Sequence, residues 1–235
     1  MRPLALVLLI TAAGCTPSGD APAPPAAADS VQVRTVRDDS TGAELPRVSL
    51  LGRPDAEARV NAALDSLSAS MRCDPESAPP DAEYTSRAAV TMAAHGVLSV
   101  TIHSSYWCGG AYPTNDANQS VTFDLTTGEA VPFEALFRDL DGDRAAITGV
   151  IQTTLLPEAT DENPDCAEPL STEALMSTTF SYALGADGLI VQPDFPHVIA
   201  ACAAEITVPY GSLRAYARDG GALARVADGQ SAAAD

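Results

Sequence analysis

The spacing of five cysteines constrains the fold of this 235-residue chain more than any other feature. Cys15 stands alone near the N-terminus, and Cys73, Cys108, Cys166 and Cys202 lie in the body of the chain. Four cysteines allow three disulfide connectivities. The sequence favours Cys73 with Cys108 and Cys166 with Cys202, because each bond then closes a loop within one half of the chain.

A metal site is the alternative use of these cysteines. Structural zinc sites commonly contain CxxC pairs, and the sequence contains none. His95, His103 and His197 also stand away from ligand spacing to any cysteine. We therefore expect disulfides, no metal and no other cofactor.

Residues 1–14 have the pattern of a cleaved export signal. Arg2 supplies a positive charge, residues 4–10 are apolar, and small residues precede Cys15. The apolar run is too short for a membrane-spanning helix, which needs about 20 residues. Disulfides agree with this prediction, because they form and persist in exported proteins.

This segment resembles a bacterial lipoprotein signal, although Ala12 stands where leucine is usual. The resemblance implies that Cys15 becomes the acylated N-terminus and anchors the chain in a lipid bilayer. Thr16, in place of Asp, resembles lipoproteins sorted to the outer membrane, so we expect a periplasm-facing position in the bacterial cell envelope. An ordinary secretory signal with unmodified Cys15 is the alternative.

Composition divides the rest of the chain into three parts. Residues 15–43 begin with a stretch rich in Pro and Ala that cannot bury enough apolar area to fold, so we predict a tether. Residues 44–226 form the expected globular domain. Residues 227–235 are small and polar, which is typical of a disordered tail.

Hydrophobic periodicity predicts one clear helix and several strands. Val60, Leu64, Leu67 and Met71 form an apolar stripe at helical spacing after Pro54. Further helical segments are predicted at 134–137, 144–156, 170–176 and from 209, and strands at 48–51, 84–93, 97–102, 120–125, 180–184, 189–192 and 201–208. Strand runs joined by hairpins, with helices between them, indicate an α+β fold in which a mainly antiparallel sheet packs against two or three helices.

The charge of the chain excludes one class of partner and favours another. The formal net charge is −18 and all 13 cations are arginines, whereas nucleic acid binding needs a basic surface. Residues 145–213 contain no arginine but many acidic residues, among them the candidate binding residues Glu162 and Asp165. A basic protein would be steered to such a surface. The alternative is an ordinary solvated acidic loop.

A second candidate binding surface concentrates the single tryptophan with tyrosines and glycines. Its members are Tyr106, Trp107, Gly109, Gly110 and Tyr112. Aromatic residues with polar tips are frequent in protein interfaces, and adjacent glycines permit the close approach of another chain. The alternative is a structural turn whose rings cover the sheet and pack on a disulfide.

The sequence predicts no catalytic residues. The GxSxG and HExxH motifs are absent, and three scattered histidines do not define a triad. Residues 139–143 contain Asp at alternating positions, but the later ligands of a calcium loop are missing. We expect a helix-capping turn there.

Several short patterns occur in the order typical of one bacterial envelope domain. They are Leu98-Ser99-Val100, Gly109-Gly110-Ala111-Tyr112-Pro113, Phe123-Asp124-Leu125-Thr126-Thr127-Gly128, Leu136-Phe137, Asp187-Gly188-Leu189 and Val208-Pro209-Tyr210. Residues 45–218 thus resemble the RsiV C-terminal-like domain. In that family the domain is the outer part of an anti-sigma factor that binds lysozyme, accompanies peptidoglycan deacetylase domains, or occurs alone in exported proteins and lipoproteins.

The chain departs from this family at identifiable points. It contains neither the cytoplasmic and transmembrane segments of an anti-sigma factor nor the metal motif of the deacetylase. Tyr112 stands where the family often has histidine. We therefore expect a lipoprotein whose domain binds a protein or a cell-wall component without catalysis, with a basic lysozyme-like protein as one candidate partner. The alternatives are an enzyme that modifies cell-wall polysaccharide with unidentified carboxylates and a structural envelope lipoprotein.

Overall fold

The computed structural model describes residues 31–37, 43–50, 52–70, 73, 79, 82–109 and 115–234. In this part of the chain, three antiparallel sheets and five α-helices form an α+β fold, as predicted. The strands are β1 Val31–Arg37, β2 Glu44–Leu50, β3 Glu83–Ala94, β4 Val97–Trp107, β5 Asn115–Asp124, β6 Glu129–Ala130, β7 Phe180–Leu184, β8 Gly188–Pro193 and β9 Ile206–Pro209. The helices are α1 Pro54–Ser70, α2 Leu140–Glu162, α3 Thr172–Met176, α4 Tyr210–Leu213 and α5 Ala222–Ala234.

The sheets follow the order of the sequence. Strands β1 and β2 pair with each other, β3 to β6 form a four-stranded sheet, and β7 to β9 form a three-stranded sheet. His95 and Gly96 make the hairpin turn between β3 and β4, and both have positive φ. Within each sheet, each strand therefore pairs with the strand that precedes or follows it in sequence, which is the arrangement that hairpin turns impose.

One core lies between α1, β2 and one face of the four-stranded sheet. Val60 and Leu64 of the predicted helical stripe are fully buried there against Leu98 and Phe123. Asn61 also holds α1 to β2, because its side-chain amide accepts from the Val48 N–H and donates to the Val48 carbonyl, both at 2.9 Å. The apolar stripe is thus a core-facing surface, as the periodicity predicts.

A second core lies between the three-stranded sheet and helices α2, α3 and α5. Ile147, Ile151 and Leu155 of α2 are buried in it together with Leu189 and Val226. Helix α2 begins after Asp139, whose carboxylate accepts a hydrogen bond from the Gly142 N–H at 3.0 Å. The predicted capping turn at residues 139–143 is therefore confirmed.

The two sheets meet along a line of buried hydroxyl groups, here called the polar seam. Ser99 and Thr122 are buried and hydrogen-bonded to each other. The Leu184 N–H, at the outer edge of β7, donates to Ser99 Oγ at 2.9 Å, and Thr91 Oγ1 donates to the Leu184 carbonyl at 2.8 Å. Side chains of the four-stranded sheet thus satisfy backbone groups of β7 that no strand pairs, and this joins the sheets.

Both predicted disulfides are present. Cys73 is bonded to Cys108, and Cys166 is bonded to Cys202. The first bond ties the end of β4 to the segment that follows α1. The second ties the two short helical turns Pro164–Ala167 and His197–Cys202 beside the second core.

Three boundaries predicted from the sequence are wrong. The predicted tether, 15–43, contains β1, which pairs with β2 over its whole length; residues 15–30 lie outside the described part. The predicted disordered tail, 227–235, is helical to Ala234. The strand predicted at 201–208 is confined to β9, because residues 197–202 form a helical turn that the second disulfide holds.

Helix α5 is held by its small apolar residues and by one arginine. Leu223, Ala224 and Val226 are buried in the second core. The Arg225 guanidinium donates to the His95 carbonyl at 3.2 Å and to Asp124 Oδ2 at 2.8 Å. Small residues that suggested a frayed end in the sequence instead allow this helix to pack closely on the β3–β4 hairpin.

Within the described residues, no helix combines the length and the apolar character needed to cross a bilayer.

The polar seam predicts different outcomes for two buried serines. Ser99→Ala leaves the buried Leu184 N–H without an acceptor, and we expect the free energy of unfolding to fall by about 1–3 kcal/mol. The hydroxyl of Ser86 is also buried but has no hydrogen-bond partner among the described residues. Ser86→Ala is therefore the matched control and should be neutral or slightly stabilising. Urea unfolding measures both variants, and equal losses would contradict the role of the seam.

The Asp124–Arg225 pair predicts a stability difference that depends on pH. Burial acts to raise the pKa of Asp124, but hydrogen bonds from the Thr126 amide and the Arg225 guanidinium outweigh it and hold the pKa below the ordinary value of 3.8. The pair therefore stabilises the fold above this pH, and its contribution is lost as pH falls through the lowered pKa.

We expect Asp124→Asn to lower the free energy of unfolding at pH 7 by about 1–2 kcal/mol, since both side chains are partly exposed. The difference from the unsubstituted protein should shrink below about pH 4. Urea unfolding between pH 7 and pH 3 checks this, with Asp219→Asn at an exposed carboxylate as the control. A difference that does not vary with pH would count against the pair.

Candidate functional site

Two clefts meet where β7 crosses the edge of β5. Cleft A has a volume of about 650 Å³ and cleft B about 720 Å³. They share Ser120 of β5 and the segment 179–181 at the start of β7. The two adjoining clefts are here called the β5–β7 groove. Cleft A also contains residues 67, 118–119, 192–195, 200 and 203, and cleft B also contains residues 121–122, 130–134, 144, 176–178 and 182.

Cleft A has a mainly polar lining, whereas cleft B is lined largely by apolar residues. Ser120, Ser181 and Thr179 contribute hydroxyl groups, and Gln119 and Gln192 contribute amides. A hydroxyl both donates and accepts a hydrogen bond, and an amide carries one acceptor and two donor hydrogens. The groove therefore offers many hydrogen-bonding groups of both kinds to a ligand.

Aromatic rings form the apolar part of the groove. Phe180 lines both clefts and is half-buried. Its position is fixed by Phe133, whose ring centroid lies 5.6 Å from that of Phe180 and 5.5 Å from that of Tyr182. Burial raises the pKa of Tyr182, so the phenol remains protonated, and its hydroxyl donates to the Val131 carbonyl. Phe180 thus presents an exposed part of a ring that the buried cluster holds in place.

The outer edge of β7 adds backbone groups to the groove. The Gly185 N–H donates to the Gly188 carbonyl, and the Asp194 N–H donates to the Thr179 carbonyl, both at 2.9 Å. Because hydrogen bonding alternates along an antiparallel pair, Phe180, Tyr182 and Leu184 point their backbone groups away from β8. Leu184 is satisfied by the polar seam, whereas the backbone groups of Phe180 and Tyr182 have no partner among the described residues.

The facing edge of β5 is open in the same way. Strand β6 is two residues long, and the Val131 N–H bonds the Thr122 carbonyl at 2.7 Å just beyond it. On the edge of β5 that faces away from β4, no described strand pairs with residues 115–122. The alternation of the β4–β5 ladder directs the backbone groups of Ser120 and Asn118 to this edge. The groove is therefore bordered by two strand edges that can donate to and accept from an extended polar ligand.

A third cleft of about 590 Å³ continues the polar surface across the four-stranded sheet. It shares Asn118 and Ser120 with the groove and contains Arg87, His103 and Glu205. His103 Nδ1 and Asn118 Oδ1 are hydrogen-bonded at 2.7 Å. Alternation along the strands explains this face, because the apolar side chains of β4 and β5 point to the core on the other side.

The structure places the aromatic candidates outside the groove. Tyr106 and Trp107 are half-buried at the end of β4, where Tyr106 lies opposite Tyr84. Gly109 has a φ of +91°, and a Cβ there would lie 3.1 Å from Pro79 Cγ. That position needs glycine for structural reasons. Gly110 and Tyr112 lie outside the described residues.

The acidic candidates also lie apart from the groove. Glu162 is the last residue of α2, and Asp165 is exposed in the turn Pro164–Ala167 beside the second disulfide. Asp165 lines none of the three clefts described above, and neither do Tyr106 and Trp107. Among the described residues, no group of three or more His, Cys, Asp or Glu side chains is arranged to hold a metal ion.

The groove residues were not predicted from the sequence. Ser120 and Thr122 alternate with the apolar Val121 and Phe123, which is the ordinary pattern of a strand with one solvated face. No local signal shows that β7 lies across that face. The residues just before β7, Ser177, Thr178 and Thr179, are polar, and such a segment resembles a turn in the sequence.

No model of a known protein family matches the sequence, and no curated protein matches it either. Among solved structures, the chain is similar to a member of the DUF3298 family from Bacteroides fragilis NCTC 9343, with a TM-score of 0.51 and 12% identity over 84% of this chain and 97% of that chain. It is also similar to a DUF3298 family protein from Pseudomonas aeruginosa PAO1, with a TM-score of 0.46 and 13% identity over 80% of this chain and 94% of that chain.

The fold is similar to that of the Bacteroides fragilis DUF3298 protein. DUF3298 is a domain family of unknown function, so the similarity describes the architecture and leaves the function to be argued from the groove. The resemblance to the RsiV C-terminal-like domain stays a prediction.

Proposed function

We propose that this DUF3298-like chain is a bacterial envelope lipoprotein that binds a polar cell-wall component in the β5–β7 groove. Acylated Cys15 anchors it in the outer membrane, and the domain faces the periplasm. The observation that carries the binding function is the groove itself, in which hydroxyls, amides and two unpaired strand edges surround the half-buried ring of Phe180.

The chemistry of this lining matches a glycan or glycopeptide. Sugars present a dense set of hydroxyl groups together with apolar C–H faces. Serine, threonine and amide side chains satisfy the former, and an aromatic ring packs on the latter. Peptide and N-acetyl amides can pair with the backbone groups of Ser120 and Phe180 in the manner of an added strand.

Filling the groove tests this proposal. Ser120 lines both clefts, so Ser120→Tyr places a large ring in the groove. We expect this variant to bind soluble peptidoglycan fragments at least roughly tenfold more weakly, because the loss of a few hydrogen bonds and of contact area exceeds about 1.4 kcal/mol. Isothermal titration calorimetry measures the affinity.

The matched control is Ser212→Tyr, at an exposed serine of α4 outside the groove. It should bind the fragments as the unsubstituted protein does. Equal affinities of all three proteins would contradict the assignment of the groove, and no binding of any fragment by the unsubstituted protein would contradict the function itself.

A basic protein is the second candidate ligand, and a separate observation favours it. Glu158, Asp161, Asp165, Glu168 and Glu173 are exposed around the C-terminal end of α2 and the following turn. Carboxylates at the C-terminal end of a helix oppose its dipole, so helix stability does not explain Glu158 and Asp161 at the end of α2. The absence of arginine from residues 145–213 leaves this surface strongly negative. A lysozyme-like protein is the partner that we propose for it.

Titration with a lysozyme at low and moderate salt tests this second candidate. Neutralising these five carboxylates as amides should weaken binding and reduce its salt dependence, because long-range attraction is screened within about 10 Å at 0.1 M salt. Neutralising exposed carboxylates on the first half of the chain, such as Glu83 and Glu129, is the control. A lysozyme that fails to bind even at low salt would eliminate this candidate.

A further inference from the structure

One cation stands out in the β5–β7 groove. Arg144 lines cleft B near the start of α2, and among the described lining residues of the groove it is the only Arg, Lys or His. The next arginine along the chain is Arg214, since residues 145–213 contain none. Within clefts A and B, Arg144 is therefore the one described side chain that offers a positive charge to a negative group of a ligand.

The guanidinium of Arg144 is only weakly engaged within the protein. Its recorded ion pair joins Nη2 to Asp141 Oδ1 at 3.4 Å, and the Asp141 side chain is 95% exposed. The Arg144 side chain itself is 35% exposed. A guanidinium carries five donor hydrogens in a planar fork, so most of its donors have no acceptor among the described residues. The pair with Asp141 is of the surface kind, which contributes little to stability.

The surroundings of Arg144 favour a carboxylate over a more highly charged anion. Glu134 lines the same cleft and is exposed, but it makes no ion pair with Arg144 within the described structure. Repulsion from Glu134 and from the net charge of −18 rises with the charge of the ligand. A single carboxylate accepts two parallel hydrogen bonds from a guanidinium, and it incurs less of this repulsion than a phosphate dianion.

We propose that Arg144 binds a carboxylate of the ligand, so that the groove is specific for an acidic saccharide or glycopeptide. This inference rests on the proposed binding function of the groove. The carboxylate belongs to the peptide part of such a ligand and lies on Arg144 in cleft B. The neutral sugar and amide groups extend past Phe180 into cleft A.

Two probes separate the carboxylate contact from the groove as a whole. The first is a disaccharide dipeptide fragment of peptidoglycan that carries free carboxylates, and the second is chitotetraose, a neutral oligosaccharide of N-acetylglucosamine. We expect Arg144→Gln to weaken binding of the acidic fragment by roughly tenfold or more, the usual effect of losing a charge-assisted hydrogen bond. Binding of chitotetraose should not change. Amidation of the fragment should reproduce the effect on the unsubstituted protein.

Two further variants complete the experiment. Arg144→Lys keeps the charge but loses the planar fork, so it should recover only part of the affinity. Arg34→Gln removes the same charge from an exposed position of β1 outside the groove and should bind as the unsubstituted protein does. Circular dichroism confirms that each variant is folded.

The outcomes distinguish this inference from the function on which it rests. If Arg144→Gln or amidation leaves the affinity for the acidic fragment unchanged while Ser120→Tyr abolishes binding, the groove binds glycans and the role of Arg144 is wrong. If the unsubstituted protein binds neither probe, the proposed function and the carboxylate site both fail.

Discussion

The contact between Leu184 and the polar seam is the constraint on which the rest of the structure depends. A sheet edge that meets the face of another sheet would normally bury unpaired backbone groups, which is costly. Ser99 and Thr91 remove that cost at one point, because their hydroxyls replace a neighbouring strand. These hydrogen bonds hold the end of β7 against the four-stranded sheet, and the apolar contacts of the second core hold the rest of the three-stranded sheet beside it.

Docking at one end of β7 also creates the groove. The backbone groups of Leu184 are hydrogen-bonded to the polar seam. Those of Phe180 and Tyr182, which also point away from β8, have no partner in the described part of the chain. Because β6 is short, the opposite edge of β5 is left open at the same place. A strand that completed either sheet would fill this space. The groove thus arises from two incomplete edges that meet, and cleft A is polar because edge and solvent-facing positions are polar.

The sequence predicts the parts of this molecule that depend on local pattern and fails where distant segments combine. The stripe of Val60 and Leu64, the hairpin at His95 and Gly96, and the cap at Asp139 are local, and each is confirmed by the structure. The disulfide pairing agrees because each bond is local to one half of the chain. By contrast, the fate of residues 222–234 depends on a hairpin more than a hundred positions earlier, as the contact of Arg225 with His95 shows. The groove was missed for the same reason, since Ser120 and Phe180 meet only after both sheets have formed.

The position of α5 has a consequence for the order of folding. The second core contains Met92 and Val97 from the β3–β4 hairpin together with Leu223 and Val226 from the last helix. The entropy of closing so long a loop must be overcome before these contacts form. A chain that has been synthesised only as far as residue 221 therefore lacks one wall of this core and keeps apolar surface in water. Native packing of this half is completed only when α5 is in place, so the docking of this helix closes the second core.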